Sequence, residues 1–404
     1  MATLSGVTVA DKNSPFDSGA ALLLSQKCDV SEVISLSSGA EIEVRQSIPY
    51  VVGRIKGASN TMDAFNESHE TIQQGLDLLS IQGKAHLSTR NAADECLIWW
   101  REPSAQVLRI VSVVDLSVTV GTPTIVVTDK NGKVRQQPPV PQIIYHESLR
   151  YIRLSQVTDD LFDAFRNMYL AFELLLEHIT PKKKNEKEGV WLKRALQAID
   201  CAVPLSRVFT PITSNIVLDI YNQIYVDLRC SIFHAKSKPW LLPQNLVDRK
   251  KVNEGLKKLT RIVLLIAEHW LHARRAIGVL THAGFDSMTV PILIDSEVLV
   301  SDSDVALDRT ETLESPAYKN AIPMTTRHAP DLSEPGLNFV LGFIDTSQLK
   351  TLRRIARLGL KHSGKLIMDA TIEAELTHDG IDRLEAQLGI QLRNVREPKH
   401  FFRT

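Results

Sequence analysis

Val226-Asp227-Leu228-Arg229-Cys230-Ser231-Ile232-Phe233-His234 ends a long apolar helical stretch and sets an arginine and a histidine five residues apart. Arginine is a permanent planar fork of donors suited to a phosphate, and histidine exchanges a proton near neutral pH. Together they fit work on a phosphodiester. The same spacing recurs at Arg357/His362 and nearly at Arg393/His400, so the pattern alone does not choose. Context does. Only Arg229/His234 lies between two long apolar helices; Arg357/His362 falls on a short basic segment, and Arg393/His400 on a tail interrupted by Pro398.

Outward from this stretch, residues 155–279 read as helical. Thr158, Asp159 and Asp160 supply an N-cap and an acidic first turn, and Leu161, Phe165, Phe172, Leu175, Leu176 and Ile179 line one face before Pro181. A charged loop, Lys182 to Glu188, leads to a helix over Gly189 to Ala202. Pro211 opens the helix that carries Arg229, and Pro239 and Pro243 close it. The last helix, Asp248 to Ile277, repeats Val252, Leu256, Leu259, Val263, Ile266 and Trp270 at three- and four-residue steps. These four helices predict one compact bundle.

The flanks change period. Within residues 1–150, Glu41–Lys56, Ala92–Trp100, Val107–Leu116 and Thr124–Thr128 read as strands, and Thr61–Gln82 as a helix. Residues 280–335 read as a linker around one strand-like run, Val290–Val300. Residues 336–404 read as a small unit with a strand at Leu337–Ile344, a helix from Thr346 to about Leu360, a strand at Leu366–Leu376 and a final short helix and strand. The expected fold class is α+β: a central four-helix bundle between a mixed N-terminal domain, sensing or regulatory, and a small α+β C-terminal domain.

The 404 residues carry 47 basic and 47 acidic side chains and are 44% hydrophobic. No apolar run reaches the roughly 20 residues of a membrane span, and no signal peptide opens the chain, so a cytoplasmic protein without membrane contact is expected. Cys28, Cys96, Cys201 and Cys230 form no CxxC pair, which argues against a disulfide framework or structural zinc. Phosphate-binding glycine loops, GxSxG and HExxH are absent, and His269 with His272 lacks a third ligand. No cofactor and no metal are expected.

With the Arg-x4-His element near the end of its third helix and Tyr169-Leu170-Ala171-Phe172-Glu173-Leu174-Leu175-Leu176 on its first, the helical region resembles a HEPN domain. The resemblance covers residues 155–279. It implies a metal-independent endoribonuclease of toxin or antiviral-defence type, acting as a dimer or an oligomer of dimers. Arg229 and His234 fall on the family's motif, and Glu173 where many members place a glutamate. The residue after the arginine is commonly polar, most often Asn or Asp; here it is Cys230, which also admits a non-catalytic scaffold that binds RNA or dimerises.

Cutting RNA through its own 2′-hydroxyl needs a base, an acid and a cation at phosphorus. One histidine and one arginine do not fill three roles, whereas two copies across a two-fold axis do. Five steps of an ideal helix separate Arg229 and His234 by about 140°, so they converge only where the helix ends or bends, or where a partner chain completes the site. The plain alternative stays open: His234 caps a helix, and Arg229 pairs with Asp219, Asp227 or Glu173. Glu173 either orients Arg229 or forms a core salt bridge. Residues 159–279 hold 19 Lys and Arg against 13 Asp and Glu. Lys182, Lys183, Lys184, Lys236 and Lys238 are the expected RNA contacts.

Overall fold

The computed structural model describes residues 1–11, 14–90, 92, 94–116, 141–158, 160–209, 215–233, 240–273, 280–305, 307, 316–318 and 320–392. In chain order the first elements are β1 (Ala2–Leu4), β2 (Val7–Ala10), β3 (Ser18–Leu23), β4 (Glu32–Ser35), β5 (Glu41–Val44), β6 (Tyr50–Ile55), α1 (Thr61–Ile81), β7 (Glu95–Glu102) and β8 (Ala105–Leu116). Helices follow: α2 (Ser148–Val157), α3 (Leu161–Ile179), α4 (Glu188–Ala202), α5 (Ile216–Ile220), a π-helical segment (Tyr221–Arg229), α6 (Cys230–Phe233), α7 (Leu246–Trp270) and α8 (His282–Ile294). The chain ends in β9 (Ser296–Ser301), β10 (Ile322–Pro323), β11 (Thr325–His328), β12 (Leu337–Asp345), β13 (Ile355–His362), β14 (Lys365–Leu376) and β15 (Arg383–Leu392).

Two compact units result, and they correct the expected fold class. Residues 1–116 and 280–393 form one unit, and residues 117–279 with 394–404 the other. The N- and C-terminal segments are therefore not separate domains around a central bundle; they share sheets. One sheet runs β11-β12-β15-β8-β7-β3-β6-β5-β4 and curls as a half-barrel, and the other runs β10-β9-β13-β14-β1-β2. The decisive pairing is β15 on β8, parallel and in unbroken register from Arg383↔Val107 to Leu392↔Leu116. At the other sheet, β1 pairs β14, so the first residues of the chain complete a sheet built mainly by its last third.

Both sheets feed one core. Val298, Val300, Leu358, Leu360 and Met368 meet Leu97, Trp99, Leu108, Ile110, Leu384 and Leu388 in a single buried cluster. Burial of this kind is the main favourable contribution to folding, about 1.5–3 kcal/mol for each large side chain. Ion pairs fix the long-range join: Arg109 bonds Glu385 at 2.6 Å, and Arg383 bonds Glu102 at 2.6 Å.

Several local expectations also change. Glu41–Lys56 is a hairpin of two strands, β5 and β6. The helix expected from Thr346 is one short 3-10 turn, Thr346–Leu349, and Ile355–His362 is a strand. Val290–Val300 is the end of α8 followed by β9. No final helix precedes β15 among the described residues, and Thr124–Thr128 lies outside them.

The helical unit has its own core, with Phe162, Phe165, Met168, Phe172, Leu175, Leu192, Leu196, Leu256, Leu259, Val263 and Ile266 all buried. It is more than the expected four helices, because α2 precedes α3 and packs on it. Asp160 caps α3 by accepting from the Asp163 N–H at 2.8 Å, and Asn245 caps α7 by accepting from the Asp248 N–H at 3.1 Å. Among the described residues, no helix is long and apolar enough to cross a membrane.

Candidate active site

The helix carrying Arg229 is unusual in its middle. Ile220, Ile224, Leu228 and Ile232 are buried at strict four-residue intervals. In a regular α-helix such a stripe drifts about 40° per step. The wider π turn over Tyr221–Arg229 counters that drift and holds the stripe toward the core. Tyr221, Tyr225 and Arg229 form a second four-residue stripe, with the two tyrosine rings stacked at 5.2 Å. Long π segments are rare and recur at functional sites.

Arg229 closes the π segment with a side chain only 15% exposed. Its Nη2 lies 3.0 Å from Glu188 Oε1, in the first turn of α4, and 3.9 Å from Glu173 Oε1 on α3. Three rings surround the guanidinium: Phe233 at 5.4 Å, Tyr225 at 5.5 Å and Tyr169 at 5.8 Å from its central carbon. Cation–π contacts of this kind contribute about 0.5–2 kcal/mol, more as water is excluded. Tyr169 is buried and packs edge-on against both Phe172 and Phe233. The cage is therefore anchored in the core through Tyr169, while Tyr225 and Phe233 are half-buried at its edge.

The electrostatics follow from this placement. Burial raises the Glu173 carboxyl to about 7; Arg229 opposes the shift, while the Glu188 charge and a hydrogen bond to Glu188 add to it. A protonated Glu173 reduces the negative charge crowded with Glu188 beside one arginine. Arg229 is held in its charged form: burial works against that charge, and Glu188, Tyr169 and Glu173 outweigh it. Burial also pushes the Tyr225 phenol up to about 12, so it stays neutral at physiological pH.

Of the sequence-predicted site residues, the structure brings Arg229 and Glu173 together. His234, Lys236 and Lys238 lie outside the described residues. Lys182, Lys183 and Lys184 are exposed on the loop between α3 and α4. That loop is pinned at both ends: the Lys182 N–H donates to Glu177 at 3.1 Å, and Glu186 joins the Lys183 N–H at 2.9 Å to Arg194 at 2.7 Å. The Arg194 hydrogen bond holds the Glu186 carboxyl down at about 2. The residue that sequence reasoning missed is Glu188. It sits 41 positions before Arg229 in a loop of mixed charge, and no local pattern sets it apart from Glu186.

Of the other two Arg/His pairs, Arg357 and His362 stand on strand β13, and Arg357 is buried against the carbonyls of Ser303 and Val305. Arg393 and His400 lie outside the described residues. No group of three or more metal-ligating side chains occurs among the described residues. Comparison with protein-family models, with curated proteins and with solved structures finds no match to this chain.

Proposed function

We propose that this protein binds RNA at Arg229 and cuts it through the substrate's own 2′-hydroxyl, without a metal, with the site completed by a second copy of the chain. The observation that carries the reading is the Arg229–Glu173 pair: a fixed, half-buried cation beside a carboxyl that titrates at about 7. A group that exchanges protons at the working pH is what acid–base catalysis needs. The sequence adds His234 five residues beyond Arg229, and the resemblance to HEPN ribonucleases rests on the same residues.

In this reading Arg229 binds the scissile phosphate through its planar fork. His234 takes the proton of the 2′-hydroxyl, whose oxygen attacks phosphorus. The bond to the 5′-oxygen breaks, and that oxygen receives a proton from the His234 of the second copy or from Glu173. The products are a 2′,3′-cyclic phosphate and a free 5′-hydroxyl. Lys182, Lys183 and Lys184, with Lys236 and Lys238, supply the sequence-independent attraction for the backbone. A role in toxin action or antiviral defence rests on the resemblance alone.

One observation favours a second reading. Glu188 stands 3.0 Å from Arg229, so the arginine already has an ion-pair partner that joins α4 to the π segment. A non-catalytic scaffold that binds RNA or dimerises needs no more than that. Purified protein incubated with labelled RNA and with DNA, with and without EDTA, separates the two. Catalysis is supported by 5′-hydroxyl ends, EDTA resistance and intact DNA, all lost in His234→Ala. Binding without any cleavage leaves the scaffold; 5′-phosphate ends or inhibition by EDTA remove the proposed chemistry.

A further inference from the structure

Strands β9 and β13 pair so that Glu297 faces Lys361 and Leu299 faces Gly359, and β13 continues onto β14 with Lys361 opposite Leu366. Alternation along a strand turns these residues away from Val298, Val300, Leu358 and Leu360, which fill the core. Tyr318 lies over this outer face. Its hydroxyl donates to Asp369, and the Arg357 guanidinium stands 5.9 Å from its ring, itself anchored by Ser303 and Val305 carbonyls. Gly359 makes room for the ring: a Cβ there would come within 2.5 Å of Tyr318 Cε1. An aromatic side chain is thus locked in place beside a cavity of about 310 Å³ lined by Leu299, Tyr318, Ala321, Pro323 and Leu366, with Glu297 and Lys361.

We propose that this cavity binds a small zwitterion with an apolar body, an α-amino acid such as leucine or phenylalanine. Its volume is at the lower limit for ligand pockets, about 300–1,000 Å³, which favours a molecule of metabolite size. Its walls combine the apolar Leu299, Ala321, Pro323 and Leu366 and the Tyr318 ring with two adjacent charges of opposite sign, Lys361 Nζ lying 3.5 Å from Glu297 Oε2. A ligand carrying one charge could pair with only one member of this ion pair. A carboxylate and an ammonium on one carbon replace both partners together. The native pair parts readily, because its side chains are 35% and 45% exposed and such pairs contribute little. The apolar side chain of the ligand then packs on Tyr318, Leu299 and Leu366. This site stands independently of any action on RNA.

The full chain is titrated by calorimetry with L-leucine and L-phenylalanine, beside 4-methylpentanoate and 3-methylbutylamine, which each keep one charge. At least one amino acid binds with a Kd of about 1 mM or tighter, and each single-charge analogue binds at least about tenfold more weakly. Glu297→Gln and Lys361→Met each lose about tenfold or more, as expected when one partner of a charged hydrogen bond is removed. Ala321→Phe keeps both charges but fills the cavity, and abolishes binding while the circular dichroism spectrum stays that of the parent. The proposal is overturned if neither amino acid binds at about 10 mM, if the analogues bind equally, or if folded Ala321→Phe binds like the parent.

Discussion

Leu228 of the π segment presses its side chain onto the backbone of Gly255 on α7, where a Cβ would lie 2.0 Å from Leu228 Cδ1. An alanine here gains about 1 kcal/mol in helix propensity but overpacks a buried contact at a cost of about 1–3 kcal/mol. We expect Gly255→Ala to lower stability by about 1 kcal/mol, and Leu228→Ala, which opens a cavity, by about 2–5 kcal/mol. The double variant should be more stable than the sum, with a coupling of about 0.5–2 kcal/mol in urea denaturation. Strict additivity would mean that the two residues are not in contact.

Glu173 makes stability depend on pH in a particular direction. Its folded carboxyl is raised to about 7 from 4.5, chiefly by burial, so the folded state favours the protonated form. That contribution is complete below about 4.5 and is lost as pH rises through about 7. Glu173→Gln, which keeps a neutral hydrogen-bonding group, should flatten the melting temperature between about pH 5 and 7.5 relative to the parent (about half a unit above each pKa). Equal slopes for the two proteins would show that Glu173 ionises at its ordinary value.

If RNA binds as proposed, Glu188 competes with phosphate for Arg229. Replacing it with glutamine removes the negative charge at 3.0 Å and frees the guanidinium fork. Affinity for single-stranded RNA should rise severalfold, and the slope of log K against log salt should steepen by about 0.7, as for one further phosphate contact. Unchanged affinity and slope would place RNA away from Arg229.

Arg229→Lys tests the fork itself. A lysine keeps the charge but not the two parallel donors, so it should recover little of the binding lost in Arg229→Ala. Filter-binding titrations of both variants on one RNA measure this. Recovery to within about twofold of the parent would reduce Arg229 to a point charge.

The elements legible in the sequence were those with one buried face and a cap. Helix α3 shows its apolar stripe and a start signal in Thr158, Asp159 and Asp160, of which Asp160 is the cap and Thr158 ends α2, and α7 shows its regular steps. Strand β13 was read as a helix because it is buried on both faces and shows no alternation: Leu358 and Leu360 enter the core, while Arg357 is buried on the opposite face by bonding carbonyls. The Leu352, Ile355 and Ala356 spacing then imitates a helical face. Helix α2 has no side-chain cap, and Arg150, Arg153 and Gln156 break up its Leu149, Ile152, Leu154 and Val157, so periodicity does not reveal it. The β8–β15 pairing has no local signature, since its partners are far apart in the chain. At the site, Arg229 and Glu173 were legible as a pair; Glu188 and the aromatic cage required the fold.

That pairing also fixes the order in which the chain can mature. Arg109 meets Glu385 across 276 residues, so β8 leaves the ribosome long before its parallel partner exists. Until β15 is made, one edge of β8 is an open row of backbone donors and acceptors, available to any other extended chain. Synthesis from the N-terminus therefore leaves β8 with an unpaired edge for the interval in which the last hundred or so residues are translated. A ribosome stall within that stretch leaves β8 without its parallel partner, on a chain that cannot yet close its sheet.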